Sequence, residues 1–224
     1  MNVLVFGPPG SGKSTHSRTI VERYGLAYIS SGDLIRQEIA RGTELGRELK
    51  RYLEGGELIP DTVVNTLVIS RLRKHRRNFI LDGYPRTAEQ VLTLENYLYD
   101  HGLTIDIAME IFITKEESIE RISGRMVCPK CGAVYHVRYR PPRVPGRCDV
   151  CGSPLVRRED DRPEIVAERY DVYMRNMEPI IKFYRKQGVY VRIDGHGGIK
   201  EVWERMRPLL DYVNSREASS RVFR

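Results

Sequence analysis

A glycine-rich loop carrying a lysine and two hydroxyl residues follows the first apolar run of the chain. The run is Val3–Phe6, and residues 7–14 read Gly-Pro-Pro-Gly-Ser-Gly-Lys-Ser. Glycines at this spacing let backbone N–H groups turn towards a phosphate chain, and a helix that starts there adds the positive end of its dipole. A simple Gly/Pro turn would rarely reproduce the full pattern between a strand and a helix. The order of strand, loop and helix therefore predicts a site for a nucleoside triphosphate.

Each residue at the end of this loop has a predicted contact with that triphosphate. Lys13 would reach the β- and γ-phosphates, and Ser14 or Thr15 would face the shell of a magnesium ion. The backbone N–H groups would surround the phosphate oxygens. The candidate triphosphate-binding residues are Gly10, Ser11, Gly12, Lys13, Ser14 and Thr15.

An acidic residue at the end of another apolar run could order the magnesium ion. The run Phe79–Leu81 is followed by Asp82, and the next four residues are Gly-Tyr-Pro-Arg. A carboxylate at the end of a buried strand can hold Mg²⁺ through its water shell. The alternative is an aspartate that caps the following helix.

Several arginines could bind the phosphates. Guanidinium groups that converge on two phosphates would form a clamp around the transferring group, although solvated surface charge is the simpler interpretation of any single arginine. The candidates are Arg36, Arg86, Arg121, Arg125, Arg158 and Arg169.

Four cysteines lie in two pairs with the spacing of a zinc ribbon. Cys128 and Cys131 form one Cys-x-x-Cys pair, Cys148 and Cys151 form the other, and glycine follows each pair. Four thiolates satisfy tetrahedral zinc and leave no open position, so the metal would be structural. Two disulfides are the competing interpretation. His136 could replace one cysteine as a ligand, although an ordinary position on a short strand is the simpler expectation.

The sequence lacks a visible Ser-His-Asp, Cys-His or paired-carboxylate arrangement for acid–base or nucleophilic catalysis. A phosphate monoester acceptor is largely ionised at neutral pH and needs no general base. Positioning and charge neutralisation suffice for transfer to such an acceptor. A kinase acting on an alcohol would need a base, so the composition of the site favours a phosphate acceptor.

The net charge of +7 is concentrated in one part of the 224-residue chain. Residues 128–158 contain seven basic residues against the single acid Asp149, which gives this segment a charge of +6. Such a patch indicates a polyanionic partner, either nucleic acid or a phosphate-rich small molecule. The composition is that of a soluble globular protein. Without an apolar run of membrane-spanning length or a signal peptide, we expect a cytoplasmic protein with no membrane partner.

Apolar runs alternate with amphipathic stretches along the chain, which predicts a parallel α/β fold that positions these groups. We expect Pro179 to kink or break a long helix and Asp61 to cap one. The segments 30–59 and 127–160 do not fit the alternation and are predicted to be insertions. The predicted strands are Val3–Phe6, Ala27–Ile29, Phe79–Leu81, Ile107–Ile113 and Val189–Ile193. The predicted helices are Lys13–Tyr24, Leu34–Arg41, Glu44–Glu54, Thr62–His75, Ala88–His101, Lys115–Gly124, Pro163–Lys186 and Ile199–Tyr212.

Together these blocks resemble adenylate kinase, in the long form whose lid carries zinc. The resemblance extends from residue 1 to about residue 210. Its blocks are residues 7–15, 30–36, 81–87 and 158–161 followed by Arg169, and the Asp-Gly-Tyr-Pro-Arg block is specific to nucleoside monophosphate kinases. The resemblance implies a P-loop NTPase-like core with a five-stranded parallel sheet flanked by helices. It also implies a core of residues 1–29, 60–121 and 162–214, a helical monophosphate-binding insertion at 30–59, a zinc-ribbon-like lid at 122–161 and a flexible tail at 215–224.

The same resemblance implies the reaction MgATP + AMP ⇌ 2 ADP and assigns residues to it. Lys13 and Asp82 would act on the donor phosphates and on magnesium, and Arg121 would lie against the donor adenine. Arg125, Arg158 and Arg169 would place positive charge around the transferring group. Arg158 and Arg169 would also touch the acceptor phosphate. Gln90 would read the edge of the acceptor adenine. The remaining acceptor-side residues would be Ser31, Arg36, Glu57, Leu58, Ile59, Gly83 and Arg86. The implied partners are ATP, AMP and ADP, with Mg²⁺ and structural Zn²⁺ as cofactors and a monomeric state.

Two positions differ from the family pattern, and they bear on the alternatives. Ser14 stands where glycine or threonine is usual, and a hydroxyl there is harmless. Ser31 replaces the threonine of AMP-specific members and weakens the prediction of AMP preference, so a kinase for CMP, UMP or another monophosphate is the second interpretation. A zinc protein that binds nucleic acid with a nucleotide switch is a third. It would bind nucleic acid with a steep salt dependence, but it leaves the blocks at 30–36 and 82–86 unexplained.

Overall fold

The computed structural model describes residues 1–54, 59–75, 77–158 and 161–222, with side chains for all of these except 53–54 and 217–222. Seven strands and eight helices are assigned within these ranges. The strands are β1 (Val3–Phe6), β2 (Ala27–Ser30), β3 (Phe79–Asp82), β4 (Ile107–Phe112), β5 (Arg125–Val127), β6 (Val134–His136) and β7 (Tyr190–Asp194). The helices are α1 (Lys13–Tyr24), α2 (Ser31–Ala40), α3 (Glu44–Glu54), α4 (Asp61–Leu72), α5 (Ala88–Asp100), α6 (Lys115–Ser123), α7 (Pro163–Lys186) and α8 (Ile199–Val222).

Five of the strands form one parallel sheet, as the sequence predicted. Their order is β2-β3-β1-β4-β7, with β1 in the centre. Strand β1 pairs with β3 through Val5↔Asp82 and with β4 through Phe6↔Glu110. Because all strands are parallel, the loop after β1 and the acid that ends β3 lie at the same edge of the sheet. This carboxyl edge is where ligands bind in open α/β sheets.

The sheet is covered by an apolar layer on each face. Alternate side chains of β1 point to opposite faces, so Leu4 and Phe6 join one layer while Val3 and Val5 join the other. Helices α4, α5 and α7 cover the first face, and α1 and α8 cover the second. Both faces of each central strand are therefore buried, which explains why the strands read as continuous apolar runs.

Tyrosine hydroxyls attach α7 to the sheet. Tyr170 donates to the carbonyl of Ile113 over 3.0 Å, and Tyr173 donates over 2.8 Å to Glu110, a carboxylate of β4 that is 1 % exposed. Glu110 also accepts from Tyr190 over 2.5 Å and from Arg192 over 2.7 Å. A buried carboxylate with these donors is satisfied, and it fixes the helix that carries Arg169.

The four-cysteine segment has a small sheet and a small core of its own. Strands β5 and β6 are antiparallel, with Met126 opposite Tyr135, and an isolated bridge joins Val127 to Val156. Tyr135 and Leu155 are buried there beside two of the cysteines. Four buried residues are too few for a stable independent core, so another source of stability is needed.

Several predicted boundaries shift, the helix cap predicted at Asp61 is wrong, and of the kink or break predicted at Pro179 the break does not occur. Asp61 does not cap α4: Pro60 occupies the cap position and the Asp61 carboxylate accepts hydrogen bonds from α5 and the residue before it. Helix α7 is continuous through Pro179, so the expected break does not occur. Pro179 and Arg175 are both exposed, so water can satisfy the carbonyl that a proline leaves without a donor. Helix α8 continues past Tyr212 to Val222, and Gly55-Gly56, the predicted end of α3, lies outside the described residues.

A search of the described helices for a membrane-spanning segment was negative, because none combines sufficient length with sufficient apolarity.

Candidate active site

The loop at residues 7–12 has the backbone conformation that encloses an anion. Gly10 has φ 75° and Gly12, the residue that starts α1, has φ 83°, a region in which side chains with a Cβ are strained. The Ser11 N–H donates to the carbonyl of Pro8 over 3.2 Å. The hydroxyl of Ser118 on α6, which is fully buried, donates to the carbonyl of Pro9 over 2.6 Å. The loop is thus fixed in shape at the N-terminus of α1.

Three hydroxyl residues of the loop differ in their exposure. Ser11 is buried, and its hydroxyl has no partner among the described residues. Ser14 is exposed and Thr15 is half-buried at the start of α1. Both lie in the first turn of α1, next to the phosphate-binding loop.

Lys13 lies in a dense group of charges at this edge. Its Nζ is 3.4 Å from the carbonyl of Pro8. Desolvation lowers the pKa of Lys13 to about 8, Asp82 acts in the opposite direction, and the cations Arg86, Arg169 and Arg125 lower the pKa further. The structure therefore brings together five of the residues that the sequence singled out. A polyanion bound beside such a cation stabilises its charged form, and this interaction contributes favourable free energy to binding.

Asp82 is placed to hold a magnesium ion through water. It is 2 % exposed at the end of β3, and the hydroxyl of Tyr28 donates to its Oδ2 over 2.7 Å. Thr87 caps α5 by accepting from the Gln90 N–H, so the alternative reading of Asp82 as a helix cap is wrong. One carboxylate oxygen held in place beside a phosphate-binding loop suits Mg²⁺, which prefers oxygen ligands and keeps several waters. The residues present fit that ion.

A second group of residues lies around the carbonyl of Gly83. This carbonyl accepts from the Ser31 hydroxyl over 2.8 Å and from Arg86 Nε over 2.6 Å. Desolvation lowers the pKa of Arg86, and Arg169 adds to the effect. Asp82 opposes it, and Arg36 contributes a smaller repulsion. Arg36 itself is paired with Asp33 on the same helix. The guanidinium groups of Arg169 and Arg36 thus both lie within electrostatic reach of Arg86.

Arg125 is held across the base of the four-cysteine segment. Its Nε donates to Asp161 over 2.9 Å, and its Nη2 donates to the other carboxylate oxygen. Asp161 is 7 % exposed, so the pair is largely shielded from water. Arg158 and Arg169 are both half-buried and both have partners. The Asp161 N–H donates to the Arg158 carbonyl over 3.2 Å. The two hydrogen bonds between Arg125 and Asp161 fix the position of the Arg125 guanidinium relative to the group of charges around Lys13.

Arg121 lies apart from this group, on α6. It donates to Glu117 over 2.7 Å and to the carbonyls of Gly195 and Gly197 over 3.0 and 3.1 Å. Its charge acts on His16, which is buried in α1. Desolvation lowers the pKa of His16 to about 4, with Arg121 as the second cause, so the imidazole is neutral at pH 7. Arg121 also lies beside Gly10 of the loop, and a planar guanidinium can stack on a flat ring.

The side chain of Gln90 is engaged by protein groups on both sides. It is 3 % exposed at the start of α5. Its Oε1 accepts from the Arg86 N–H over 2.8 Å, and its Nε2 donates to Asp61 over 2.6 Å. The amide still has one N–H and one lone pair for a ligand. Of the other predicted acceptor-side residues, Ile59 packs against the core, and Glu57 and Leu58 lie outside the described residues.

The four cysteines form a site that fits zinc. All four thiols are free, and their sulfur atoms lie within 4.8 Å of one another. The closest pairs are Cys128–Cys151 at 3.4 Å and Cys131–Cys148 at 3.5 Å, which join the two Cys-x-x-Cys turns. Tetrahedral zinc with bonds of about 2.3 Å requires similar separations between its ligands. Thiol contacts at these distances are not disulfides, so the competing interpretation is not supported.

His136 is not part of this cluster. Its Nδ1 accepts from the N–H groups of Arg138 and Tyr139, and its ring packs against Gly124 and the Tyr139 ring. It is an ordinary side chain on β6, as expected. Close to the cluster, the Tyr135 hydroxyl lies 3.5 Å from Cys148 Sγ and accepts from the Asp149 N–H.

Three residues that act through the predicted ones were not predicted to belong to the site. Tyr28 orients Asp82, Ser118 fixes the phosphate-binding loop, and Asp61 contacts Gln90. They come from positions far along the chain, and no local pattern marks them. Asp161 carried a signal, because it is one of few acids that follow a strongly basic segment.

Comparison with known proteins gives a consistent family assignment. The family model described as adenylate kinase matches residues 5–189. The curated protein named adenylate kinase from Thermococcus onnurineus is 78 % identical over 217 residues, which covers 97 % of each chain. The adenylate kinase of Pyrococcus furiosus is 71 % identical and covers 97 % of this chain and 99 % of its own.

A more distant relative extends the same match. The adenylate kinase of Archaeoglobus fulgidus is 43 % identical over 96 % of this chain and all of its own length. The assignment to adenylate kinase by the family model and by these full-length relatives is consistent with the group of charges at the carboxyl edge of the sheet. The chain belongs to the adenylate kinase family.

Proposed function

We propose that this protein transfers the γ-phosphoryl group of MgATP to AMP, giving two ADP, and that the reverse reaction uses the same site. The observation that carries the proposal is that Asp82, Arg86, Arg125 and Arg169 all act electrostatically on Lys13 at the phosphate-binding loop. Such a set can neutralise the charge of two phosphate chains. An ionised acceptor phosphate needs no base, so these groups are sufficient for the transfer.

On the donor side, Lys13 and the backbone of residues 10–15 bind the triphosphate. Magnesium, when bound, neutralises charge on the β- and γ-phosphate oxygens. Asp82 orients its water shell, and Tyr28 holds that carboxylate in place. Arg121 lies against the donor adenine. Arg125 contributes positive charge near the transferring group once the phosphate competes with Asp161 for its guanidinium.

On the acceptor side, Arg36 and Arg86 bind the phosphate of AMP. Ser31, Gly83 and Ile59 line the pocket with Glu57 and Leu58, and Gln90 contacts the adenine edge. Arg158 and Arg169 touch both phosphates and stabilise the transition state. Because Arg36 pairs with Asp33 and Arg86 with a carbonyl, each guanidinium is already oriented before the acceptor arrives. Preorganised charge of this kind lowers the barrier without reorganisation during the transfer.

We further propose that residues 30–59 and 122–161 are mobile units on a core of residues 1–29, 60–121 and 162–214. The segment at 122–161 closes over the triphosphate as a lid, drawn by its positive charge. Closure excludes water, which would otherwise replace AMP as acceptor and turn the kinase into an ATPase. Zinc at the four cysteines stabilises the lid, and residues 215–224 act as a flexible tail.

The remaining expectations concern partners and compartment. We propose a monomer without a nucleic-acid partner, since the basic segment is accounted for by the triphosphate. Four free thiols within one cluster suit a reducing compartment, which supports a cytoplasmic location.

The proposed reaction is tested by measuring ADP formation from MgATP with AMP, CMP, UMP, GMP or no acceptor. We expect rapid turnover with AMP and little turnover without an acceptor, because the closed lid excludes water. A preference for another monophosphate would leave the proposed transfer in place and would mean that the pocket at Ser31 and Gln90 selects a base other than adenine. Turnover that ignores the acceptor would contradict the proposal and favour a nucleotide switch.

Replacement of Arg86 by alanine should weaken acceptor binding selectively. Loss of charge-assisted hydrogen bonds, each about 1.5–3 kcal/mol, raises the KM for AMP about 10- to 150-fold and slows the transfer. The Kd for MgATP, measured by calorimetry, should stay nearly unchanged. Arg73→Ala, which removes an exposed arginine from the end of α4, is the matched control. Equal weakening of both nucleotides would argue against this role of Arg86.

Binding of MgATP should take up a proton at high pH. With a pKa of about 8, free Lys13 is about one-tenth neutral at pH 7 and about nine-tenths neutral at pH 9. The triphosphate stabilises the charged ammonium, so binding at pH 9 draws up to about one proton and the affinity falls as the pH rises through 8. Calorimetry in buffers of different ionisation enthalpy measures this uptake.

The Lys13→Arg variant provides the control for this linkage. Its guanidinium stays charged throughout the range, so proton uptake should no longer increase between pH 7 and pH 9. If the original protein took up the same number of protons at both pH values, the shifted pKa of Lys13 would not govern triphosphate binding.

Removal of zinc should destabilise residues 122–161 more than the rest of the protein. The four buried core residues of this segment cannot hold it without the metal. We expect a lower melting temperature and faster hydrogen exchange at residues 125–156, while the preference for AMP over other acceptors is retained. Chelation under reducing conditions gives the metal-free sample. Unchanged melting and unchanged exchange in that sample would refute the structural role.

A further inference from the structure

Three hydrogen bonds among Asp61, Thr87 and Gln90 form a closed ring at the point where α4 and α5 begin, and a fourth joins this ring to Arg86. Asp61 Oδ2 accepts from the Thr87 hydroxyl over 2.5 Å, and Asp61 Oδ1 accepts from Gln90 Nε2 over 2.6 Å. The Thr87 hydroxyl in turn accepts from the Gln90 N–H over 3.1 Å. Gln90 Oε1 accepts from the Arg86 N–H over 2.8 Å. The ring therefore connects the first residue of α4 to two residues of the proposed acceptor site.

The chemistry of the ring determines which way the Gln90 amide points. The Arg86 N–H can only donate, so it must face Oε1, and an ionised carboxylate can only accept, so Asp61 must face Nε2. The reversed amide would place Oε1 against the Asp61 carboxylate and Nε2 against the Arg86 N–H. Each contact would then join two acceptors or two donors. Asp61 and Arg86 together hold a single amide orientation.

The location of the ring makes this restraint effective. Gln90 is 3 % exposed, and Asp61 is half-buried. The Asp61 carboxylate also lies at the N-terminus of α5, where Thr87 is the cap residue and where negative charge is favourable. Asp61 follows the insertion at 30–59 directly, so the ring joins the end of that insertion to the start of α5.

We propose that Asp61 is a positioning residue that sets acceptor specificity by fixing the Gln90 amide. This inference rests on the proposed function, in which Gln90 contacts the acceptor base. The free N–H and lone pair of the held amide match a base edge with a ring acceptor beside an amino group, as in adenine. Hypoxanthine has a ring N–H beside a keto oxygen, and it needs the reversed amide that Asp61 opposes. A site built around one hydrogen-bond pattern rejects its opposite strongly.

The test compares Asp61→Ala with Asp61→Asn, using AMP and IMP as acceptors. In Asp61→Ala the amide loses one of its two restraints. We expect the KM for AMP to rise about 10-fold or more, and the preference for AMP over IMP in kcat/KM to fall about 10-fold. The KM for MgATP should not change. In Asp61→Asn the oxygen can still accept from Gln90 Nε2 while the amino group donates to Thr87, so most of the AMP affinity and selectivity should return.

Thr93→Val is the matched control for loosening of the same two helices. The Thr93 hydroxyl accepts from Asn65 Nδ2 over 3.0 Å and so also joins α4 to α5. Asn65 in turn accepts from the Tyr84 hydroxyl, which also donates to the backbone carbonyl of Gln90 and not to its side-chain amide. Its KM for AMP and its selectivity should equal those of the original protein. An unchanged KM for AMP and unchanged selectivity in Asp61→Ala would overturn the proposal. The same losses in Thr93→Val would also overturn it, because the effect would then be general loosening.

Two further variants separate failure of this inference from failure of the proposed function. If Arg86→Ala and Gln90→Ala weaken AMP binding but Asp61→Ala does not, the acceptor site stands and the role of Asp61 is refuted. If none of the three changes the KM for AMP, the acceptor-site residues are wrongly assigned and this inference falls with them, whereas the proposed reaction falls only if ADP formation does not depend on AMP. Melting temperatures of all variants establish that they are folded.

Discussion

Repulsion among cations at the carboxyl edge of the sheet is the constraint on which the rest of the structure depends. Arg86, Arg125 and Arg169 repel the Lys13 ammonium there, Arg169 also repels Arg86, and Asp82 opposes both effects. Burial and mutual repulsion depress the pKa values of Lys13 and Arg86. The protein keeps these charges close because the two apolar layers hold the strands and helices that carry them. A pair of phosphate chains relieves the repulsion, so the cost to the free protein becomes binding energy.

The free protein limits this cost by pairing arginines locally. Arg125 forms two hydrogen bonds with Asp161, Arg36 pairs with Asp33, and Arg121 pairs with Glu117. These pairs orient each guanidinium before substrate arrives, and phosphate oxygens can replace the carboxylates because both accept from the same fork of donors. The same logic explains the buried carboxylates of Glu110 and Asp82, which tyrosine hydroxyls satisfy and thereby fix in position.

The four-cysteine segment meets a different physical limit. Its core is too small to stabilise 40 residues, and its excess of basic side chains repels itself. Four thiolates around zinc replace the missing apolar core and leave the surface free to carry positive charge. A metal-stabilised segment of this kind can move as a unit, which suits the role proposed for it as a lid.

The sequence by itself determined the features whose physical causes are local. The phosphate-binding loop needs glycines at fixed spacing, the zinc site needs two Cys-x-x-Cys turns, and the buried parallel strands need continuous apolar runs. All of these were predicted within a few residues. Only the tertiary structure decided which groups hold the site in shape. Tyr28 with Asp82, Arg125 with Asp161, and Asp61 with Gln90 join positions 54, 36 and 29 residues apart. Asp61 looked like a helix cap because the local pattern cannot show that α5 and its cap residue bring two side-chain donors to the Asp61 carboxylate.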